Sequence, residues 1–217
     1  MLSQITIFLD VISPWALLLY FFIKIKKARR RDYIFWFILF QTIINTVSIV
    51  YDQYLILNNL YLYHLNCAVS FFILTIYFSS ILNFQQSSNI LYGLLVIFGI
   101  FFFVNIIKWE NLESFNSNSY SVASFLIVVY SFLYYLENLL RPATIDIAKS
   151  KNFWYVTGLF TYYAGSFYIF LTFKKLTFLN IENLRLVWLT HNVLFLILCI
   201  FLARGIICQL LQEKYNL

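Results

Sequence analysis

The chain has 217 residues, of which 62% are apolar, 22% aromatic and only 11% charged, and its formal net charge is +6. A soluble domain would have about 45–50% apolar and about 25% charged residues, so this composition excludes a soluble enzyme, a disordered chain, a collagen and a disulfide scaffold. No stretch of the sequence is polar enough to form a separate globular domain. We therefore expect an integral membrane protein that forms one domain over residues 1–217.

Seven apolar runs, each bounded by charged residues or by Asn, Ser and Lys, predict the transmembrane helices. A helix needs about 20 residues to cross about 30 Å of hydrocarbon, and each run has about that length. The runs lack the alternating pattern of a transmembrane β-barrel. We expect an all-α, polytopic protein with seven transmembrane helices at Ile5–Ile25, Tyr33–Val50, Tyr61–Leu82, Asn89–Ile107, Tyr120–Leu140, Phe153–Phe173 and Val187–Cys208.

The distribution of Lys and Arg predicts how these helices are oriented. With seven spans, eleven of the 15 Lys and Arg residues fall on one side and four on the other. The positive-inside rule then places the N-terminus outside and the C-terminus in the cytoplasm. The KIKKARRR run at 24–31 dominates this count. Such a run could also bind anionic lipids or nucleic acid, but a stop-transfer role explains it, so we expect membrane lipids and no nucleic acid as partners.

The second predicted helix carries a polar stripe. Four polar residues follow one another at spacings of four, three and four, which places them on one helix face: Gln41, Asn45, Ser48 and Asp52. Polar side chains in hydrocarbon normally face the interior of the bundle. The stripe indicates either interhelical hydrogen bonds, at about 0.6–2 kcal/mol each, or the wall of a polar cavity open to the outside.

Polar residues from four predicted helices, including both histidines, fall at one depth near the outer surface. Convergent polar groups of this kind indicate a ligand pocket, so we expect a ligand-binding layer formed by Asp10, Asn45, Asp52, His64, His191 and Asn192. Two alternatives stay open, namely histidines that serve packing and a zinc site with His and Asp ligands. The histidines lie on separate helices without HxxxH spacing, and the three cysteines lie in apolar runs. We therefore expect no metal.

A second group of charged residues lies at the predicted inner end. Glu137 precedes Arg141 by four residues, the order that favours an ion pair on one helix. Arg204 of the last predicted helix falls at a similar depth and could compete for the same carboxylate. The sequence thus leaves two alternatives, a local pair of Glu137 with Arg141 and a switchable contact of Glu137 with Arg204.

Signature motifs of catalysis and cofactor binding are absent from the sequence. It contains no GxSxG, HExxH, Walker Gly-rich or CxxCH motif, and the last predicted helix has no mid-membrane Lys that could bind retinal. We therefore expect neither an enzyme nor a bound cofactor.

The second half of the chain contains a series of aromatic, glycine and polar residues in a characteristic order. They are Phe115, Asn116 and Ser117 before the fifth predicted helix, Phe153, Trp154, Gly158, Tyr162 and Gly165 in the sixth, and Trp188, His191 and Asn192 in the seventh. This order resembles the seven-helix membrane segments found ahead of some bacterial sensor histidine kinases and as free-standing homologues. The resemblance implies a sensory role. Because the chain ends at Leu217 without a kinase domain, we expect it to act through a partner.

Three functions are compatible with these features. The first is a membrane sensor or receptor-like module without its own output domain, acting through a partner protein. The alternatives are a structural or accessory subunit of a larger inner-membrane complex, and a small transporter or oligomeric pore. We expect a protein partner or a homo-oligomer. We expect the bacterial inner membrane, with a mitochondrial membrane as the alternative, because Phe-, Ile-, Asn- and Tyr-rich usage could reflect an AT-rich genome.

Overall fold

The computed structural model describes residues 9–24, 32–55, 57–84, 87–141, 147–178 and 184–215. Within these ranges the chain forms seven α-helices and no strand. The helices are α1 (Leu9–Lys24), α2 (Tyr33–Ile49), α3 (Leu60–Ile81), α4 (Ser87–Lys108), α5 (Ser117–Leu140), α6 (Lys151–Phe178) and α7 (Leu184–Tyr215). A π-helical turn, Val50–Leu55, extends α2, and a short 3₁₀ helix, Ile147–Lys149, precedes α6.

Each of the seven predicted apolar runs coincides with one helix, so the all-α prediction is confirmed. Six helices, α2 to α7, are long and apolar enough to cross a membrane, as expected for an integral membrane protein. The first helix is described over 16 residues, because part of the predicted run Ile5–Ile25 lies outside the described residues. Most of the basic run at 24–31 lies outside them as well.

Six of the helices form a closed ring. In order around it, α1 packs on α2, α2 on α3, α3 on α5, α5 on α6, α6 on α7, and α7 on α1. The remaining helix, α4, packs on α3 and α5 from outside the ring. Only 22% of its membrane-length segment is buried, against 44–50% for the other five such segments. We call the end of the bundle with the start of α1 the N-terminal end, and the opposite one the C-terminal end.

The peripheral position of α4 explains its composition. Its outward face is apolar and strongly exposed, with Ile97, Ile100, Phe103 and Ile107 between 62% and 80% accessible. Such a face would be costly in water and is favourable against lipid tails.

Aromatic side chains fill the middle and the C-terminal half of the space enclosed by the six helices. The ring of Tyr130 on α5 lies 6.3 Å from that of Phe71 and 5.6 Å from that of Phe78, both on α3. Tyr77 of α3 reaches Tyr155 of α6, with the ring centres 6.4 Å apart. Phe71, Phe78, Tyr130 and Tyr155 are all at most 1% exposed. This layer is therefore densely packed.

Glycine allows α6 and α7 to approach closely. A Cβ atom added at Gly158 would lie 2.8 Å from Phe201 Cβ, and one at Gly165 would lie 2.8 Å from Leu194 Cδ1. A Cβ atom at Gly205 would overlap the ring of Tyr155. Small residues at helix interfaces have this role in membrane bundles, so the seam between α6 and α7 depends on these glycines.

Candidate functional site

A cavity of about 180 Å³ lies inside the ring at its N-terminal end. All six helices of the ring contribute to its wall, and α4 does not. One set of lining residues is polar: Asp10, Gln41, Asn45, Ser48, Asp52, Gln53, Asn59, Asn66 and His191. The other set is mostly aromatic: Tyr63, Tyr120, Tyr162, Phe170, Trp188, Phe195 and the aliphatic Ile49. The cavity thus combines hydrogen-bonding groups with flat apolar surfaces, as ligand sites commonly do.

The polar stripe of α2 forms one wall of this cavity. All four of its members, Gln41, Asn45, Ser48 and Asp52, line the space. The helix changes to π-helical geometry at Val50–Leu55, a feature often found at functional sites. Within this segment the neighbouring residues Asp52 and Gln53 both line the cavity, and Gln53 Nε2 donates to Asp52 Oδ2 over 2.6 Å.

Several groups of this wall are also hydrogen-bonded between helices. Gln41 Nε2 donates to Asn66 Oδ1 over 3.0 Å and to Ser70 Oγ over 2.7 Å, which joins α2 to α3. Nearer the end of the bundle, Asn59 Nδ2 donates to Ser48 Oγ over 2.9 Å. The two interpretations of the stripe therefore apply together, because its residues connect α2 to α3 and also face the cavity.

A carboxylate of α1, the neighbour of α2 in the ring, also lines the cavity. Asn45 Nδ2 donates to the backbone carbonyl of Asp10 over 2.8 Å, so this contact does not involve the Asp10 side chain. Its Oδ1 atom is buried and has no hydrogen-bond partner among the described residues. A buried acceptor without a donor costs free energy, so this oxygen favours a ligand or a water molecule that can donate to it.

His191 of α7 is surrounded by polar and aromatic side chains. His191 Nε2 lies 3.4 Å from Tyr162 Oη, and His191 Nδ1 lies 3.3 Å from Ser166 Oγ. The centre of its ring is 4.9 Å from that of Trp188 and 5.2 Å from that of Phe170. Contacts of both ring nitrogens and of two aromatic neighbours fix the orientation of His191 at the cavity wall.

Two members of the predicted ligand-binding layer do not line the cavity. His64 is buried, its Nε2 atom lies 3.0 Å from the backbone oxygen of Ser114, and its ring packs against Phe102 of α4. Asn192 is also buried and does not reach the cavity. Adjacent residues of a helix point about 100° apart. Tyr63 therefore faces the cavity while its neighbour His64 points away from it. In the same way, His191 faces the cavity while its neighbour Asn192 points away.

Residues of α3 that line the cavity were not singled out from the sequence. Tyr63 and Asn66 belong to a series that starts at Asn59 and ends at Ser70, with spacings of four, three and four. These are the same spacings as in the α2 stripe. The series could therefore have been found by the same pattern, had Tyr63 been counted as a polar residue.

A second polar cluster connects α4 to α5 outside the cavity. Asn105 Nδ2 donates to Glu110 Oε2 over 2.9 Å and to Ser119 Oγ over 3.0 Å. The same oxygen of Glu110 accepts a hydrogen bond from the backbone nitrogen of Asn118 in the first turn of α5. A carboxylate at the start of a helix satisfies otherwise unpaired N–H groups. This cluster fixes the peripheral helix to the ring, and it could be anticipated only from the polarity of the connecting loop.

At the C-terminal end, Glu137 binds a backbone group rather than an arginine. Both of its carboxylate oxygens lie 3.0 Å from the backbone nitrogen of Asn83, just after α3. Arg141 is exposed, and the guanidinium carbon of Arg204 lies 5.4 Å from the centre of the Trp154 ring. Among the described residues, neither arginine forms an ion pair with Glu137.

The ion pair that the described residues do contain joins Lys151 to Asp32, with 3.6 Å between Nζ and Oδ2. Asp32 also caps α2, because its Oδ1 atom accepts from the backbone nitrogen of Ile34 over 3.0 Å. Capping and ion pairing by one carboxylate connect the start of α2 to the start of α6. Within the described ranges, no group of three or more His, Cys, Asp or Glu side chains could hold a metal ion.

Comparison with known proteins gives no relative for this chain: no family model, no curated protein and no solved structure matches it. The resemblance to the membrane segments of sensor histidine kinases therefore stays a prediction from the residues that carry it.

Proposed function

We propose that this chain is a non-enzymatic membrane sensor or receptor-like module that binds a small ligand in the cavity and acts through a partner protein. In this proposal all seven helices cross the bacterial inner membrane, with the N-terminus outside and the C-terminus in the cytoplasm. The cavity would then open towards the outside. The eleven-to-four distribution of Lys and Arg supports this orientation.

The observation that carries the proposal is that six helices share one cavity wall. A ligand held there would contact every helix of the ring at once. Such a ligand shifts the equilibrium between arrangements of the helices by its difference in affinity for them. A change in helix arrangement at this end can reach the C-terminal end through α5, α6 and α7, each of which is longer than 20 residues.

The layer below the cavity favours a receptor over a transporter or pore. The ring is filled there by Phe71, Phe78, Tyr130 and Tyr155, all essentially inaccessible. A pore would require these rings to separate over several helices, whereas a pocket that ends on them requires no such change. The transporter alternative is therefore the less supported one.

The accessory-subunit alternative rests on α4. The outward face of this helix is apolar and exposed, which suits a partner helix as well as lipid. Copurification separates the two proposals, since a stable stoichiometric partner that stays bound in every ligand state indicates a subunit.

Native mass spectrometry of the full-length protein, purified gently from its own membrane, tests the proposal. We expect wild type to retain a small molecule and Ile49→Trp to lose it, because Ile49 lines the cavity and the larger ring would fill it. Ile97→Trp is the matched control, because Ile97 is exposed on α4. Equal retention by both variants would contradict a ligand in the cavity. Flux of labelled solutes through proteoliposomes would support the transporter alternative instead.

A further inference from the structure

We infer that the ligand of the cavity is a small organic cation of the alkylammonium class. This inference rests on the proposed function, since it assigns a ligand class to the same cavity. Three properties of the wall carry it: the sign of its charges, its aromatic surfaces and its size.

The charged groups of the cavity wall are carboxylates. Asp10 lies in the interior with a buried Oδ1 atom that has no hydrogen-bond partner among the described residues. Asp52 is exposed, so it stands at the mouth. In the described part of the chain, no Lys or Arg lines the space. An anion would enter against two like charges, whereas a cation would be attracted at the mouth and paired in the interior.

Aromatic rings provide the remaining surface that a cation requires. Trp188 lies between the rings of Tyr63, at 5.7 Å, and His191, at 4.9 Å. Phe170 and Tyr162 also line the cavity. The face of an aromatic ring attracts an ammonium group, most strongly for Trp and most strongly when the cation is desolvated. A cavity lined by a carboxylate and by aromatic rings suits a cation with an apolar body.

The amides of the wall argue against a neutral polyol as the ligand. A sugar or polyol would require many free donors and acceptors, but Gln41 is bonded to Asn66 and Ser70, and Asn59 is bonded to Ser48. Among the buried polar atoms of the wall that the structure describes, Asp10 Oδ1 lacks a hydrogen-bond partner. A charged donor would satisfy this buried oxygen.

The volume limits the ligand to a small molecule. An engineered cavity of about 150 Å³ binds one benzene molecule, and this cavity has about 180 Å³. Choline and simple alkylammonium ions fall in this size class, whereas a peptide or a nucleotide does not.

Isothermal titration calorimetry with full-length protein in lipid nanodiscs tests the inference. The probes are choline, its uncharged isostere 3,3-dimethylbutan-1-ol and the anion 3,3-dimethylbutanoate. The alcohol and the anion carry a tert-butyl group where choline carries a trimethylammonium group of the same shape. We expect choline to bind at least about tenfold more tightly than either other probe, because ion pairing and contact with aromatic faces both require the positive charge. Equal or tighter binding of the alcohol or the anion would overturn the inference.

Variants of the two carboxylates identify where the charge acts. Asp10→Asn should weaken choline binding by about tenfold and leave the alcohol unchanged. Asp52→Asn should weaken choline binding by about two- to fivefold, because an exposed charge contributes less. Because Asp52 is exposed, this variant should fold even if Asp10→Asn does not, so the test remains possible. Glu113→Gln is the control, because Glu113 is an exposed acid outside the cavity. Unchanged choline affinity in both aspartate variants would overturn the inference.

Failure of this inference is distinguishable from failure of the proposed function. Should none of the three probes bind, the assignment to an alkylammonium ligand is overturned. A molecule still retained by wild type and Ile97→Trp, but lost from Ile49→Trp, would then show that the cavity binds a ligand of another class.

Discussion

The side-chain amide of Asn45 donates a hydrogen bond of 2.8 Å to the backbone carbonyl of Asp10, which joins α2 to α1 at the wall of the cavity. Trp15 Nε1 adds a second connection, to Thr46 Oγ1 over 3.0 Å. The contact at Asp10 uses the main chain of α1 and keeps the carboxylate available. It therefore stabilises the ring and preserves the chemistry of the cavity.

Replacement of Asn45 tests this connection. Asn45→Leu should lower the free energy of unfolding by about 0.6–1.7 kcal/mol, the range for side-chain hydrogen bonds between membrane helices. Ile43→Leu is the control, because Ile43 is exposed on the same helix. Both can be measured as unfolding in detergent against denaturant. An Asn45 variant as stable as the control would show that this hydrogen bond does not stabilise the ring.

Glu137 of α5 should stabilise the fold through its contact with the connection between α3 and α4, and not through an ion pair with an arginine. Glu137→Gln should lower the free energy of unfolding by about 0.5–1.5 kcal/mol, because it replaces a charged acceptor of the backbone nitrogen of Asn83 with a neutral one. Arg141→Gln should change it by less than about 0.5 kcal/mol. Double-mutant cycles of Glu137 with Arg141 and with Arg204 should give couplings below about 0.5 kcal/mol. A larger coupling would restore one of the two ion pairs expected from the sequence.

The glycines of the bundle should respond to alanine according to the space around them. Gly205→Ala should destabilise the protein by about 1–3 kcal/mol, because the added methyl group would overlap the ring of Tyr155. Gly93→Ala should be neutral or stabilise by up to about 1 kcal/mol, since nothing lies within 4 Å and alanine favours the helix. Melting temperatures in one detergent compare the two. The reverse order would contradict the packing of α6 on α7.

The proposed orientation can be read from cysteine labelling of intact cells. Glu113→Cys, in the exposed connection between α4 and α5, should react with an impermeant maleimide from outside. Lys149→Cys should react only after the membrane is permeabilised, and a reporter fused after Leu217 should be cytoplasmic. The three native cysteines are buried and give little background. Labelling of Glu113→Cys only after permeabilisation would contradict the orientation.

Helix positions could be predicted from the sequence because the apolar runs are long and their boundaries are charged. The ends of α6 and α7 could not, since both helices continue into polar residues, to Phe178 and Tyr215. Hydropathy marks the part of a helix that lies in hydrocarbon, and the hydrogen bonds of a helix can extend beyond it.

The cavity was only partly predictable for a related reason. A stripe with helical periodicity identifies a shared face, which is why Gln41, Asn45 and Asp52 were found together. Depth along a span does not fix the rotation of its helix, so His64 and His191 looked equivalent although only His191 faces the cavity. Rotation is set by packing against neighbouring helices, and the peripheral position of α4 next to His64 was not apparent from the sequence.

The two histidines provide the most direct test that the cavity is the ligand site. Ligand retention should be measured by native mass spectrometry for His191→Ala and His64→Ala, purified identically from the native membrane. His191 lines the cavity, whereas His64 contacts the connection between α4 and α5. We predict that His191→Ala loses the bound small molecule and that His64→Ala retains it at the level of wild type. Loss from His64→Ala with retention by His191→Ala would contradict the assignment of the site.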